Sequence, residues 1–481
     1  MFSGQQLDMV RPAQRPRELR KVLFSCFLGS TVEYYDLLLY YAAAALILGK
    51  IFFSGLSPAE ASLAAMATLT LGYLGRPIGG VFFGHFGDKY GRKKVLVVTL
   101  ATMGAATGLI GCIPEPAHIG IWAPVTLIFL RVVQGFSAGG EWGGAALMAY
   151  EHAPKKHRVF AASFSSAGAP AGTMVATGVL GACALMPTPQ FESWGWRIPF
   201  LMSFLLIGLG LWVRLSVHES PLFLMERERQ EKSKTEVKTP LVEILKHPRN
   251  LILSTIALAS FLTYSTLSNA IGLSYAHSLN ISVSTILSIQ SVSALSSMIA
   301  QLVSGSLSDR IGYRKVMGFG LILGALFAYP FMLLIGTGNT TCILVAYLIM
   351  YIFVLSPLNG PAPGYLAQLF QTGSRYTGSS LGFQLGTMIG AGLAPIALAS
   401  MMHLTGNGVL YVSTIVAVFG LAGFICFVVS SRPGVTEAVS VQMDSDLEAF
   451  SARNSSSVPS DSASTFGSET TERSPRPSAS T

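Results

Sequence analysis

Long apolar runs follow one another along most of the chain, separated by short breaks that are rich in polar residues, Gly and Pro. The run 409–430 lacks the alternating polar and apolar faces that a helix of a soluble repeat protein would show. About 20 apolar residues in a helix are enough to cross the hydrocarbon core of a bilayer. The pattern therefore predicts membrane-spanning helices and argues against a soluble repeat protein.

Twelve of these runs predict twelve transmembrane helices, so the predicted fold class is an all-α membrane protein. The runs form two sets of six on either side of a charged segment, 217–250. The first six predicted spans are 22–48, 61–84, 95–113, 123–148, 159–184 and 197–215. The second six are 251–274, 284–306, 316–336, 341–368, 377–402 and 409–430.

The composition favours lipid as the surrounding solvent. Of the 481 residues, 51% are hydrophobic and only 12% are charged, about half of the charged share of a soluble protein. The basic residues behind the net charge of +8 lie between apolar runs. This placement is typical of residues that set the membrane topology, and we expect no nucleic-acid partner. The five cysteines lie singly inside apolar runs without metal-ligand spacing, so we expect packing roles and no metal site.

Lys and Arg are distributed unevenly between the breaks. Breaks on one predicted side carry basic clusters at 11–21, 89–94, 155–158, 217–250 and 310–315. The other side carries almost none, with Lys50 as the exception and Arg197 at a helix entry. Because cytoplasmic loops are enriched in Lys and Arg, we expect both termini in the cytoplasm and a multi-pass protein of the cytoplasmic (inner) membrane.

An internal repeat supports the division into halves. The segment Gly84–Lys93 recurs as Gly305–Lys315, each time after the second span of a six-helix half. Two such halves are typical of transporters that rock about a site at the membrane midplane. The predicted organisation is an N-terminal cytoplasmic segment 1–21, a first half 22–216, a cytoplasmic central loop 217–250, a second half 251–432 and a tail 433–481.

Two of these segments carry less defined expectations. The central loop 217–250 is amphipathic and dense in charge, and both an interfacial helix and a solvated linker fit it. The tail 433–481 is rich in Ser and almost without aromatic residues, so it has too little apolar surface to order itself. We therefore expect a disordered tail.

Two loops and one helix carry a family resemblance. The pattern Gly84-x-x-x-Asp88-Lys89-x-Gly91-Arg92-Lys93 resembles the hallmark loop of the major facilitator superfamily, and 305–315 is a partial copy of it. Arg131-x-x-Gln134-Gly135 resembles the Arg-x-x-Gln-Gly motif of the same superfamily, which is linked there to proton coupling. The resemblance implies two pseudo-symmetric six-helix halves and transport by alternating access.

Finer motifs resemble the metabolite:proton symporter family, which includes shikimate, proline/betaine and α-ketoglutarate transporters, and are most similar to its shikimate-transporter-like branch. They are Gly139-Gly-Glu141-Trp-Gly-Gly, Trp194-Gly-Trp-Arg197, His218-Glu219-Ser-Pro221 and Leu381-Gly-Phe-Gln384. The chain departs from the family pattern at Tyr41, where the family usually has Gly, and at Gln368, where it generally has Glu.

Ionisable residues inside the predicted spans are the first candidates for function, because a charge in the bilayer costs several kcal/mol unless it is paired or hydrated. Glu33 and Asp36 are three residues apart on one helix, where mutual repulsion would favour proton uptake by one of them. A salt bridge to Arg131 or Arg76 is the structural alternative. The candidates for proton coupling or substrate contact are Glu33, Asp36, Arg76, Arg131, Gln134 and Glu141.

A second group of candidates belongs to the repeated loops. Asp88 is expected to bridge Arg92 or to pair with a helix end across the two halves, while Gly84 and Gly91 permit close packing and a tight turn. Asp309 with Arg314 would repeat this arrangement in the second half. Such contacts would set the balance of inward- and outward-facing states, and a purely topogenic role is the alternative.

Uncharged polar residues within the spans are candidates for the substrate pocket, although many such residues only connect helices. They are Tyr40, Tyr41, Tyr264, Ser268, Asn269, Gln290, Asn359 and Gln384.

The sequence thus predicts a proton-coupled symporter that takes up a small polar metabolite, either an organic acid such as shikimate or a dicarboxylate, or a zwitterion such as betaine. A proton-coupled exporter and a membrane sensor are the alternatives. We expect no enzyme activity and no cofactor, because nucleophile–base pairs and phosphate-binding loops are not evident. The expected partners are substrate, protons and lipid, with the protein a monomer.

Overall fold

The computed structural model describes residues 15–219, 240–246, 248–371, 373–404 and 408–431. These residues form helices and short connections, with no strand among them. The predicted tail 433–481, most of the N-terminal segment 1–21 and residues 220–239 of the central loop lie outside the described residues.

The described chain contains twelve long helical segments, α1 to α12, one for each predicted span. Those of the first half are α1 (Arg15–Ala43, continuing through a π-helical turn, Ala44–Leu48, to Gly49–Phe52), α2 (Pro58–Tyr90), α3 (Arg92–Gly111), α4 (Trp122–His152), α5 (Arg158–Cys183) and α6 (Arg197–Leu215). Short helical turns at Pro116–Ile119, Lys155–His157, Thr188–Gln190 and Phe191–Gly195 lie in the connections.

In the second half, three of the six long segments contain a π-helical turn. They are α7 (Arg249–Thr266, π turn Leu267–Ile271, then Gly272–Ser278), α10 (Thr340–Ile349, π turn Met350–Leu355, then Ser356–Asn359 and Ala362–Leu369) and α11 (Arg375–Thr387, π turn Met388–Leu393, then Ala394–Leu404). The others are α8 (Val283–Ile311), α9 (Tyr313–Gly336) and α12 (Gly408–Ser430), and a short helix, Pro240–Lys246, precedes α7.

Ten of the twelve segments are long and apolar enough to cross a membrane by length and composition alone. The other two are α2, which contains six glycines, and α5, which contains four glycines and three serines. Both are helices of the interface between the halves: α2 packs against α11 and α5 packs against α8. Small residues are what such contacts require, because they let helix backbones approach closely.

The internal repeat is visible in the backbone. Gly91 separates α2 from α3 with φ of 111°, and Gly312 separates α8 from α9 with φ of 90°. Residues with a side chain rarely adopt such angles, so the backbone of each repeated loop favours glycine at this position. The two loops lie at the same end of the bundle, which is called the basic end below.

Candidate functional site

A narrow cavity lies inside the first half, among α1, α2, α3 and α4. It brings together residues that the sequence singles out on three different helices: Glu33 of α1, Arg76 of α2, and Arg131 and Gln134 of α4. The remaining lining residues are Leu37, Gly72, Tyr73, Met103, Gly135 and Ala138. The approach of α2 to α4 is close at this level, since a Cβ on Gly135 would lie 2.7 Å from the backbone carbon of Gly72.

The two carboxylates of α1 are both buried but have different surroundings. Glu33 lines the cavity, whereas Asp36 accepts a hydrogen bond of 2.7 Å from the hydroxyl of Ser203 on α6. Oε2 of Glu33 and Oδ2 of Asp36 have no hydrogen-bond partner among the described residues. The sequence placed the pair on one helical face, and the structure separates them into a cavity group and a helix-contact group.

Arg131 is held by neutral groups. Its Nη1 donates to Oε1 of Gln134 at 2.5 Å, and its guanidinium carbon lies 4.1 Å from the centre of the Tyr40 ring. The amide of Gln134 donates in turn to the Thr107 hydroxyl at 2.8 Å and to the carbonyl oxygen of Asp36 at 3.5 Å. Arg131 forms no ion pair with any described residue, so the alternative of a bridge to the α1 carboxylates does not occur in this state.

Arg76 is likewise without an ion pair within the part of the chain that the structure describes. Its guanidinium carbon lies 5.1 Å from the centre of the Tyr73 ring, and both residues line the cavity. Two buried cations therefore flank Glu33, and neither forms an ion pair with it.

Glu141 has a partner that sequence reasoning missed. It pairs with Arg214, the last basic residue of α6, and accepts a 2.7 Å hydrogen bond from the Thr99 hydroxyl. Both side chains of the ion pair are buried. The sequence signal for this partner was Arg214 itself, a basic residue one position before the end of the predicted span 197–215.

The second half contributes a polar cluster at the π turn of α7. A π turn leaves backbone carbonyls without their usual helical partners, and here side chains of α8 and α10 satisfy them. Tyr347 donates to the carbonyl of Ser268 at 2.7 Å, Gln290 lies 3.4 Å from the carbonyl of Asn269, and Tyr351 donates to Oδ1 of Asn269 at 2.6 Å. The cluster is thus built entirely from uncharged groups.

Contacts of α7 and α2 with α11 place this cluster near the height of the first-half cavity. Thr266, one turn before Asn269, donates to the carbonyl of Gly390 on α11 at 2.7 Å. A Cβ on Gly392, two residues on, would lie 3.3 Å from Cβ of Tyr73, a cavity residue. The exposed side chain of Asn269 is therefore within about one helical turn of the level of the cavity.

The other candidates for the pocket have varied positions. Tyr40 is buried and bonded to Thr68 at 2.5 Å, whereas Tyr41 is 42% exposed. Tyr264 lies in the core of the second half and donates to the carbonyl of Leu321 at 2.9 Å, which is outside the cavity lining. The side chain of Asn359 donates to its own helix at 3.1 Å.

Gln384 lies between the halves. It is buried and donates from α11 to the carbonyls of Ala138 and Gly139 on α4, both at 3.3 Å. Next to it, the ring of Phe383 stacks on Trp142 with centroids 3.5 Å apart, and Tyr376 donates to the carbonyl of Gly140 at 2.6 Å. The Gly-Gly-Glu-Trp-Gly-Gly segment is therefore the part of α4 that contacts α11.

The repeated acidic residues cap helices of the opposite half at the basic end. Asp88 accepts backbone hydrogen bonds from Tyr376 and Thr377 at the start of α11, at 3.1 and 3.0 Å. Asp309 accepts from Val159 and Phe160 at the start of α5, at 3.0 and 2.9 Å. A carboxylate at a helix N-terminus satisfies free N–H groups and interacts favourably with the helix dipole.

A buried charge cluster joins the halves at the same end. Glu151 on α4 accepts from both Arg92 at the start of α3 and Arg375 at the start of α11, the latter at 3.1 Å. Of these three residues, the sequence analysis assigns only Arg92 to the gate. With Asp88 and Asp309, this cluster joins the two halves at the basic end.

Comparison with known proteins adds evidence of family. The model of the sugar (and other) transporter family matches residues 22–245, and that of the major facilitator superfamily matches residues 253–458. The inner membrane metabolite transport protein YhjE of Escherichia coli (strain K12) is 38% identical over 402 residues, which cover 81% of this chain and 89% of that protein. The chain belongs to the major facilitator superfamily.

Two further similarities agree with this membership. The shikimate transporter of Escherichia coli (strain K12) is 37% identical over 409 residues, covering 81% of this chain and 89% of that transporter. A structure of the proton:xylose symporter XylE bound to 6-bromo-6-deoxy-D-glucose has a TM-score of 0.69 at 16% identity, covering 85% of this chain and 95% of that one. This major facilitator protein is thus a multi-pass membrane transporter of metabolites with the twelve-helix fold, and not an enzyme.

Proposed function

We propose that this transporter takes up a small monocarboxylic acid that carries hydroxyl groups, together with a proton, by alternating access. The observation that carries the proposal is the pair of guanidinium groups, Arg76 and Arg131, which share one cavity without an ion pair to any described residue. A buried Arg keeps its charge and is stabilised best by a carboxylate that it binds through two hydrogen bonds. A substrate carboxylate supplies that partner.

The proton is assigned to Glu33. This carboxylate is buried, lines the same cavity and has one oxygen without a partner in the described chain. Burial of an ionised and unpaired carboxylate is unfavourable, and protonation removes the charge. A substrate anion and a proton that enter together leave the charge of the cavity unchanged, which gives a physical reason for their coupling.

The rest of the substrate is assigned to neutral hydrogen-bonding groups. The second half has no Asp, Glu, Lys or Arg between Asn250 and Ser308, and beyond Lys315 its spans contain only Arg375, which is bound to Glu151. A second carboxylate on the substrate would therefore meet no further cation there. Hydroxyl groups, in contrast, fit the amide of Asn269 and the phenol of Tyr351.

Uptake into energised membrane vesicles tests the proposal. The panel consists of labelled shikimate as the hydroxylated monocarboxylate, succinate as the dicarboxylate, benzoate as the acid without hydroxyls, and glycine betaine as the zwitterion. We expect accumulation of shikimate that collapses with a protonophore, and weaker uptake of the other three. Accumulation of succinate or betaine alone would contradict the substrate class, and accumulation that is insensitive to the protonophore would contradict proton coupling.

A further inference from the structure

The ion pair between Arg214 and Glu141 lies between the proton site and the contact that joins the halves. Arg214 rests against Gly29 of α1, where a Cβ would lie 2.8 Å from the guanidinium carbon. Gly29 and Glu33 are four residues apart and therefore on the same face of α1. The guanidinium is thus one helical turn from Glu33 while it is bound to Glu141.

Arg214 has unused capacity for a second partner. Its Nε is buried without a hydrogen-bond partner among the described residues, as is Oε2 of Glu33. The charged groups that act on Glu33 are Arg76 from α2, Glu141 from α4 and Arg214 from α6, with Asp36 on its own helix. Arg131 lines the same cavity as Glu33.

The surroundings of Arg214 leave Glu33 as the second acidic group that faces it. A small cavity on the side of Arg214 toward the basic end is lined by Lys93 of α3 and Cys26 of α1. Tyr376 of α11 also acts electrostatically on this pair. Lys93 repels a guanidinium, and neither a thiol nor a phenol carries a full negative charge at neutral pH, so none of these groups competes with Glu33 for Arg214.

Glu141 is placed to pass a change on to the other half. Its chain neighbours are Gly140, whose carbonyl accepts from Tyr376, and Trp142, whose ring stacks on Phe383. Both partners belong to α11. Glu141 therefore lies within the segment of α4 on which α11 rests.

We propose that Arg214 is a positioning residue that links the protonation of Glu33 to the contact between α4 and α11. When Glu33 is protonated, Arg214 stays on Glu141 and the contact is held. When Glu33 loses its proton, the new carboxylate attracts the guanidinium along α1, Glu141 keeps only Thr99, and the contact loosens. The proposal rests on the proposed proton coupling, and it adds the route by which protonation of Glu33 affects the contact between α4 and α11.

The test uses the full-length protein labelled with 5-fluorotryptophan and reconstituted in nanodiscs. The chain has five tryptophans, so five fluorine resonances are expected, and the Trp142 resonance is the one missing from a Trp142→Phe variant. In the wild type we expect this resonance to move during a pH titration, because the stacking on Phe383 changes. Glu33→Gln, which mimics the protonated acid, should hold the resonance at its acidic position.

Two variants separate the proposal from a general role in folding. Arg214→Gln should abolish the titration of the Trp142 resonance, and Gly29→Ala, which changes no charge but displaces the guanidinium, should shift or abolish it. Gly208→Ala on α6 is the matched control, because a Cβ there meets nothing within 4 Å, and it should titrate as the wild type does. The other four resonances report whether each variant is folded.

The proposal is overturned if the Trp142 resonance of the wild type does not respond to pH, or if folded Arg214→Gln and Gly29→Ala proteins titrate like the wild type. Failure of proton coupling would be seen separately, as vesicle uptake that ignores a protonophore while the titration still depends on Arg214.

Discussion

At the scale of single residues, the sequence identifies most of the buried charges but not their partners. Glu33, Arg76, Arg131 and Glu141 are visible as ionisable residues inside apolar spans, and the structure brings the first three to one cavity. Arg214 was missed because, near the end of its span, it has the appearance of a topogenic residue. Its partner lies 73 positions away in the sequence, a separation that helical periodicity does not reveal.

Loss of a cavity cation should weaken substrate binding with little effect on folding. We expect Arg131→Gln to raise the KM or Kd for shikimate by about 10- to 100-fold, because a hydrogen bond to a charged group contributes about 1.5–3 kcal/mol. Lys50→Gln is the matched control, since Lys50 pairs with Glu192 at an exposed site away from the cavity. Equal affinities of the two variants in a binding assay would exclude Arg131 from the substrate site.

At the scale of helices and loops, the repeated loop is the element that the sequence predicts in most detail. The predicted turn glycine, Gly91, has positive φ, and Gly84 lies against Thr377 of α11, as close packing requires. The capping of α11 by Asp88 is one of the two predicted arrangements. The π turns of α7, α10 and α11 were not predicted, because they depend on how neighbouring side chains satisfy the released carbonyls.

Substitution at the loop glycine should destabilise the protein. Gly91→Ala places a side chain at φ of 111°, which costs about 1–3 kcal/mol for backbone conformations of this kind. We expect a lower temperature of thermal unfolding in detergent than for the wild type. Gly55→Ala, at a position with open space and no positive φ, should unfold at the wild-type temperature, and the same result for Gly91→Ala would show that the loop relaxes without strain.

At the scale of the whole molecule, the two halves share a fold and differ in chemistry. The sequence repeat predicts the common architecture, and it left open whether Asp88 and Asp309 bridge an Arg or cap a helix. In the structure they cap reciprocally, with Asp88 on α11 and Asp309 on α5. The cavity charges, in contrast, all belong to the first half, and the facing cluster around Asn269 is neutral. The sequence does not show which polar residues lie together. Tyr264 and Asn269 are five residues apart, yet Tyr264 lies in the packed core and Asn269 is exposed.

The most direct test of the central claim is a measurement of proton movement during substrate entry. Purified protein is reconstituted in lightly buffered proteoliposomes, and a pH-sensitive dye outside the vesicles follows the addition of shikimate. The account predicts that the external medium becomes more alkaline as substrate enters, and that Glu33→Gln abolishes this signal while shikimate exchange persists. Entry of shikimate into wild-type vesicles with no change in external pH would contradict the account.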